Sequence, residues 1–305
     1  MSLCPAVASG DVEQVRDLLA RGADPNQLGS YKGQCAIEWA MAMVKIKKKN
    51  RWEDYDAVRN IFACVELCLL AGALPDGPPT DSRNHPPVTP LGSAVSQGRP
   101  EFVRLLLSAG ADPNVPADAN GETILHHAGR LIDSLRGNRA SGYEIVRLLL
   151  AAGADHAARS NPPFNDTPFG VAVCHGGGEY LGGHGTGHER YGLYHRLWPL
   201  FLQAGAEIPN TWKRMQAYNE ERGNPAGAQN YEYLRTIEAA GGFKAYEKAH
   251  TRALASMLAT KFPARIPEEI LPRVVAFWAH TGFYVSAAAV AALPRAAETN
   301  PNQDA

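Results

Sequence analysis

The residues best suited to metal or acid–base chemistry lie in a glycine- and histidine-rich stretch between residues 174 and 195. His175, His184 and His188 all fall within it, and imidazole is a common ligand of transition metals. Two glycines separate His184 from His188, so a helix that would bring this i, i+4 pair together is unfavourable. The patterns His-Glu-x-x-His and Cys-x-x-Cys are absent from the chain. We therefore predict a solvated polar loop without a metal, and keep metal-dependent activity at this insertion as an alternative.

No other pattern in the sequence assembles a reaction centre. The glycines of the same stretch are not followed by the Lys-Ser/Thr pair of a phosphate-binding loop, and Gly-x-Ser-x-Gly is absent. A basic run at 45–51 (KIKKKNR) fits a nuclear-import signal, but it fits the solvated face of a lengthened helix better, because acids follow at once. The sequence thus predicts a protein that is not an enzyme and that needs no cofactor.

Composition and charge argue against several further classes. The 305 residues include 30 Lys and Arg and 31 Asp and Glu, for a net charge of −1, whereas nucleic-acid-binding domains are usually basic. No apolar run reaches the roughly 18 residues that a membrane span needs. Five cysteines, an odd number, do not indicate a disulfide framework. We expect a monomeric cytoplasmic or nuclear protein that binds neither nucleic acid nor a membrane.

The elements that would position any functional residue come from a phrase that recurs five times. Each copy ends in a glycine followed by alanine, and the glycines are Gly22, Gly72, Gly110, Gly153 and Gly205. Apolar residues stand seven, four and three positions before each glycine, as Val103, Leu106 and Leu107 do before Gly110. This spacing predicts one apolar face of a helix, which the glycine then ends in a left-handed conformation.

A second phrase precedes four of these helices. It reads GQCAIEWA from Gly33, TPLGSA from Thr89, GETILHHA from Gly121 and DTPFGVA from Asp166. Threonine followed by proline predicts a helix start, with threonine as the N-cap and proline in the first turn. Each unit is therefore predicted to be a helix, a tight turn, a second helix and an extended hairpin.

This order of elements resembles the ankyrin repeat, on the strength of Thr-Pro-Leu at 89–91, Thr-Pro-Phe at 167–169 and the Gly-Ala-Asp triplets. The resemblance implies an all-α fold, an α-solenoid with inter-repeat hairpin loops followed by a helical C-terminal extension. It places an ankyrin domain at 1–210, a helical region at 211–290 and a disordered tail at 291–305. The predicted repeats span about 1–28, 31–76, 87–117, 120–158 and 165–210.

The spacing between the two phrases locates insertions inside the repeats. In a regular unit, the alanine that ends the first phrase stands nine positions before the first apolar anchor of the second, as Ala94 does before Val103. The second, fourth and fifth units are longer there. We predict that both helices of the second unit are about two turns longer, that the first helix of the fourth is extended, and that the fifth carries the histidine-rich loop.

The resemblance implies a non-catalytic scaffold that binds a partner protein on its concave face. The predicted binding residues on that face and on the hairpin tips are Trp39, Tyr31, Lys32, His127, Asp118, Glu122, Arg159 and Phe164. Trp39 has two readings that remain open: an exposed binding residue, or a side chain packed under the insertion of the second repeat. His126, at a position where ankyrin repeats commonly carry histidine, is expected to be structural.

An alternative function comes from the region after the repeats. An ankyrin stack followed by short helices is the layout of substrate-recognition subunits of cullin-type ubiquitin ligases. Ala253-Leu254 and Ile266-Pro267 resemble parts of a SOCS box, although Leu258 stands where that box has cysteine, and IPEEIL resembles the start of an F-box. The alternative rests on analogy with the family.

Overall fold

The computed structural model describes residues 3–29, 34–49, 55–78, 89–134, 139–176, 197–223 and 231–261. Their helices are α1 (Leu3–Ser9), α2 (Val12–Ala20), α3 (Ala36–Lys49), α4 (Tyr55–Leu70), α5 (Pro90–Ser96), α6 (Pro100–Ser108), α7 (Ile124–Ser134), α8 (Arg139–Ala151), α9 (Pro168–Gly176), α10 (197–203), α11 (Thr211–Glu221), α12 (Glu232–Ala239) and α13 (Phe243–Lys261). Within these stretches there is no β-strand, only an isolated antiparallel bridge between Pro116 and Thr123. The predicted all-α fold is confirmed. None of the described helices has the length and apolar character to cross a membrane.

The helices before residue 177 pair into hairpins that stack in two layers. The helices α1, α3, α5 and α7 pack on α2, α4, α6 and α8 respectively. In the first layer, each helix from α1 to α9 contacts the next first helix along the chain; in the second, α2 contacts α4 and α6 contacts α8. Each repeat therefore buries its apolar side against its neighbours, which is the arrangement of a solenoid.

The second helices of the first four repeats end in left-handed glycines, as predicted. These are Gly22, Gly72, Gly110 and Gly153, with φ between 83° and 93°. The N–H of Gly110 donates to the carbonyl of Leu107 at 3.1 Å, and the N–H of Ala111 donates to that of Leu106 at 3.0 Å. The same pair of hydrogen bonds recurs in the other three copies, so carbonyls that a helix end leaves without partners are satisfied in each.

The predicted helix starts and the lengthened helices of the second repeat are also confirmed. The hydroxyls of Thr89 and Thr167 each accept a backbone N–H three residues on, at 3.1 Å. The helices α3 and α4 have 14 and 16 residues, against 7 and 9 in α5 and α6, so each is longer by about two turns. In the fourth repeat α8, with 13 residues, is lengthened as well as α7. Burial of Ser141 in its first turn shows that packing overrides the weak helix propensity of Ser-Gly.

Side-chain clasps join the turns of successive repeats. Asn26 accepts the N–H of Leu74 at 2.7 Å and donates to the carbonyl of Gly72 at 3.0 Å. Asn114 makes the same two bonds one step along, to Asp155 at 2.7 Å and Gly153 at 3.3 Å. Both asparagines stand four residues after a capping glycine. The clasps therefore tie the Gly22 turn to the Gly72 turn and the Gly110 turn to the Gly153 turn.

The chain divides into two compact units, one of residues 1–182 and 204–211, the other of residues 183–203 and 212–305. The described part of the second unit is organised around aromatic side chains. Trp198 stacks on Tyr231 and Tyr233, with ring centroids 5.9 and 6.5 Å apart, and Tyr233 meets Tyr246 edge-on at 5.6 Å. Such ring pairs add to the apolar burial that holds α10, α12 and α13 together. The domain boundary at residue 210 remains a prediction.

Candidate protein-binding surface

The inner positions of the first helices are only partly covered. These positions directly precede the alanine that ends each first-helix phrase. Trp39, Ser93 and His127 are half-buried there, whereas Val171 in α9 is buried, with 5% of its surface exposed. The half-burial of Trp39 therefore does not decide between its two predicted roles, an exposed binding residue and a packed side chain. Tyr31 and Lys32 lie outside the described residues. Apart from Trp39, the predicted binding residues that the structure describes lie on the later repeats.

The hairpin before α7 positions two of the predicted acids. The N–H of Ala117 donates to the carbonyl of Glu122 at 2.6 Å and closes the hairpin. One oxygen of Asp118, Oδ1, accepts the backbone N–H groups of Asn120 at 2.9 Å and Glu122 at 3.1 Å. Aspartate is well suited to such turns, because its short side chain reaches backbone donors two to four residues on. Asp118 is thereby fixed in direction.

Asp118, Glu122 and His127 converge on one point of this surface. Nε2 of His127 lies 3.3 Å from Oδ2 of Asp118 and 3.3 Å from Oε2 of Glu122. The other oxygen of Glu122, Oε1, is paired with the guanidinium of Arg130. The structure therefore brings three of the predicted binding residues together and adds Arg130. Arg130 was not among the predicted residues, although its position one turn after His127 on an amphipathic helix placed it on the same face.

The four members of this cluster differ in exposure, and the cluster holds Asp118 ionised. Glu122 is buried, with 9% of its surface exposed, whereas His127, Arg130 and Asp118 are partly exposed. Partial burial raises the pKa of Asp118, but hydrogen bonds from Glu122, His127 and Asn120 outweigh it and hold the pKa below its usual value. Asp118 is therefore ionised at neutral pH. Glu122 offers a partner little contact area, so its contribution to binding is mainly electrostatic.

The hairpin after α8 carries the remaining predicted residues. Phe164 stands at its tip with 66% of its surface exposed. Arg159 supports the hairpin from within, because its guanidinium donates to the carbonyl of Asn165 at 3.1 Å. Asn161 joins this hairpin to the preceding one, with its N–H on the carbonyl of Asn120 at 2.6 Å. Of this pair, Phe164 is the side chain that presents an apolar contact to a partner.

His126 has the structural role that the sequence predicted. It is fully buried; its Nδ1 accepts the N–H of Thr123 at 3.0 Å, and its Nε2 lies 3.0 Å from the carbonyl oxygen of Asp166. Because Nδ1 accepts, the proton of the neutral ring is on Nε2 and is donated to Asp166. Burial lowers the pKa of His126, and the bond to Asp166 only partly opposes this. The ring thus ties two successive hairpins together.

The other candidate for chemistry cannot be placed. The side chains of His175, His184 and His188 lie outside the described residues, as do those of the basic run at 45–51. Three of the buried cysteines are poor nucleophiles, because burial raises the pKa of Cys35 and Cys64 to about 11 and that of Cys68 to about 12. The described residues therefore support an interaction surface better than a catalytic one.

Comparisons with known proteins agree with this architecture. Residues 55–160 match a family model of ankyrin repeats in three copies. The chain is 33% identical over 152 residues, half its length, to "Ankyrin repeat domain-containing protein SAT10" of Stachybotrys chartarum, and 35% identical over 120 residues, or 39% of its length, to "Ankyrin repeat and KH domain-containing protein CBG24701" of Caenorhabditis briggsae. It is 26% identical over 142 residues, or 47% of its length, to "E3 ubiquitin-protein ligase KEG" of Arabidopsis thaliana. It spans 6%, 4% and 7% of these three relatives.

Residues 55–160 therefore match ankyrin repeats, in agreement with the sequence prediction for this part of the chain. Ankyrin repeats are protein-interaction modules and are generally non-catalytic. The identity of a partner, and any activity beyond interaction, are separate questions.

Proposed function

We propose that this protein is a non-catalytic scaffold that binds a partner protein on the concave ankyrin surface and the hairpin tips. One observation carries the proposal: a stack of helix pairs whose hairpins are tied to one another presents partly exposed side chains along one side. The bond between Asn161 and Asn120 and the His126 bridge hold consecutive hairpins in a fixed relation. A surface held in this way loses little conformational freedom on binding, which favours affinity.

The chemistry of the surface suits a partner with both apolar and charged groups. Phe164 supplies exposed aromatic area and Trp39 partly exposed area, and aromatic side chains dominate many interface energies. Asp118, Glu122 and Arg130 supply charges whose positions are fixed by hydrogen bonds and an ion pair. Fixed charges favour partner selection and orientation more than raw affinity.

The ligase alternative has weaker support. One relative is named an E3 ubiquitin-protein ligase, but this chain spans 7% of it at 26% identity. Ala253 and Leu254 lie in α13, while Ile266 and Pro267 lie outside the described residues. The recognition role in a ligase therefore stays an alternative to the general scaffold. Co-purification with elongin, Skp1-type adaptors or a cullin would favour it.

The scaffold is tested by affinity purification with surface variants. The full chain, its Phe164→Ala and Trp39→Ala variants and the control Leu70→Ala would be used to capture partners from cells that express it. Leu70 is a matched control because it is 80% exposed but ends α4, in the layer of second helices. We expect the same partner with wild type and control, and a loss of about 10-fold or more in affinity with Phe164→Ala, because buried aromatic anchors often contribute more than about 1.4 kcal/mol. Equal capture by all four proteins contradicts the proposed surface.

A further inference from the structure

Three side chains outside any catalytic arrangement offer ligand atoms to one point. One oxygen each from Asp118 and Glu122 and Nε2 of His127 all lie within 4.8 Å of one another. Nε2 is 3.3 Å from each of the two oxygens. Ligands about 2.0–2.2 Å from a tetrahedral zinc ion lie about 3.3–3.5 Å apart, whereas charge-assisted N–H···O bonds are shorter, about 2.7–2.9 Å. The two 3.3 Å separations are long for charge-assisted hydrogen bonds, and they match those of ligands around one shared cation.

A second observation, independent of this spacing, also indicates a ligand. Oε2 of Glu122 is buried and accepts no hydrogen bond among the described residues, in a residue only 9% exposed. A buried carboxylate oxygen that accepts no hydrogen bond costs free energy, because it has lost its hydration. It points towards Oδ2 of Asp118 and Nε2 of His127, where a cation would satisfy it.

The surroundings fix one oxygen of each acid; the other oxygen of Asp118 has only long contacts, with Nδ2 of Asn120 at 3.5 Å and Nε2 of His127 at 3.3 Å. Backbone N–H groups occupy Oδ1 of Asp118, and Arg130 occupies Oε1 of Glu122. Groups that bind the far side of a ligand in this way orient it and are a regular part of metal sites. The hairpin and α7 therefore preorganise the cluster, and the contact of Oε2 of Glu122 with Nε2 of His127 lies within it.

We propose that Asp118, Glu122 and His127 bind a divalent transition-metal ion of the zinc class. One imidazole and two carboxylates are nitrogen and oxygen ligands that zinc accepts, and three protein ligands leave a fourth position for water or a side chain of a bound protein. The site goes beyond the proposed scaffold function, since the ion needs no partner protein to bind. A metal here would fix the hairpin against α7 and add positive charge to the concave surface.

The test uses the full chain with His175, His184 and His188 changed to alanine, so that the histidine-rich stretch cannot supply metal. This reference variant is titrated with Co²⁺, followed by visible absorption, and with Zn²⁺, followed by calorimetry. We expect one ion per chain, and a melting temperature that rises with Zn²⁺ because the ion binds only the folded state. Mg²⁺ should not raise it.

Three further variants in the same background locate the site. His127→Ala should abolish the Co²⁺ absorption. Asp118→Asn can still accept the two turn N–H groups through Oδ1, and should raise the Kd at least about tenfold. His156→Ala, which removes another half-buried histidine, should leave binding unchanged. Circular dichroism without metal checks that each variant is folded.

Two outcomes overturn the proposal. One is the absence of Co²⁺ and Zn²⁺ binding to the reference variant at micromolar metal. The other is binding that survives His127→Ala in a folded protein. Neither result bears on partner capture by Phe164 and Trp39, so the proposed scaffold function fails or stands separately.

Discussion

The clasp between successive repeats is incomplete at one position, and completing it should stabilise the protein. Asp76 stands where Asn26 and Asn114 stand in their repeats, four residues after a capping glycine. Its carboxylate accepts the N–H of Asp112, at 3.1 and 3.2 Å, but it has no N–H to donate to a carbonyl of the next turn. Asp76→Asn restores a donor at that point.

The magnitude follows from one hydrogen bond. A neutral bond of this kind contributes about 0.5–1.5 kcal/mol, so Asp76→Asn should raise the free energy of unfolding by about that amount. The new amide gives up charge assistance to the Asp112 N–H. Burial, however, raises the pKa of Asp76 despite that bond, and the charge of Asp112 adds to the rise, so the ionised form is disfavoured by folding. Loss of the charge should therefore not cancel the gain.

The assay is urea denaturation at pH 7, followed by circular dichroism, with Asn114→Asp as the reciprocal variant. We expect a higher midpoint for Asp76→Asn and a lower midpoint for Asn114→Asp, each with an unchanged slope. Because folding raises the pKa of Asp76, its penalty is present above pH about 3.8 and fades as the pH falls, so the advantage of Asp76→Asn should narrow in acid. A lower midpoint for Asp76→Asn, or no loss in Asn114→Asp, refutes the clasp.

Three further outcomes follow from buried groups. In urea denaturation without metal, His126→Ala should cost about 2–4 kcal/mol, because it removes two buried hydrogen bonds and leaves a cavity. Under the same conditions, His127→Ala, at the half-buried neighbour, should cost less than about 1 kcal/mol, and equal costs would contradict the bridge. Because burial lowers the pKa of His126, its contribution to stability is full above pH about 6.5 and is lost as the pH falls. Wild type should therefore lose more free energy of unfolding than His126→Gln between pH 7 and the acid range. Parallel profiles of stability against pH for the two proteins would contradict this. The thiols of Cys35, Cys64 and Cys68 should react with a disulfide reagent at pH 8 only in urea above the midpoint, and rapid labelling of native protein would contradict their burial.

The helices and their ends were predictable because they depend on local sequence. The apolar residues before Gly110 and the Thr89-Pro90 start act within one or two turns, and the structure confirms both. The first turn of α8 was missed for a related reason. Its Ser-Gly pair disfavours a helix locally, whereas burial of Ser141 depends on the tertiary structure.

Three of the four cluster residues were proposed from the sequence, but Arg130 and the arrangement were not. Asp118, Glu122 and His127 were each chosen as surface residues, yet their convergence depends on how the hairpin folds back onto α7. The bond between Asn161 and Asn120 joins residues 41 positions apart, and no local pattern encodes it. Burial of Glu122 likewise follows from its pairing with Arg130, whose side chain lies on the next element.

Site-specific photo-crosslinking tests the central claim most directly. A photoreactive amino acid would replace Phe164 at the hairpin tip in one protein and Leu70 at the end of α4 in another, with both proteins expressed in the native cells. We expect a crosslink to the same partner protein from position 164 and none, or far less, from position 70. Equal crosslinking from both positions, or crosslinking from position 70 alone, would contradict a binding surface on the concave side and hairpin tips.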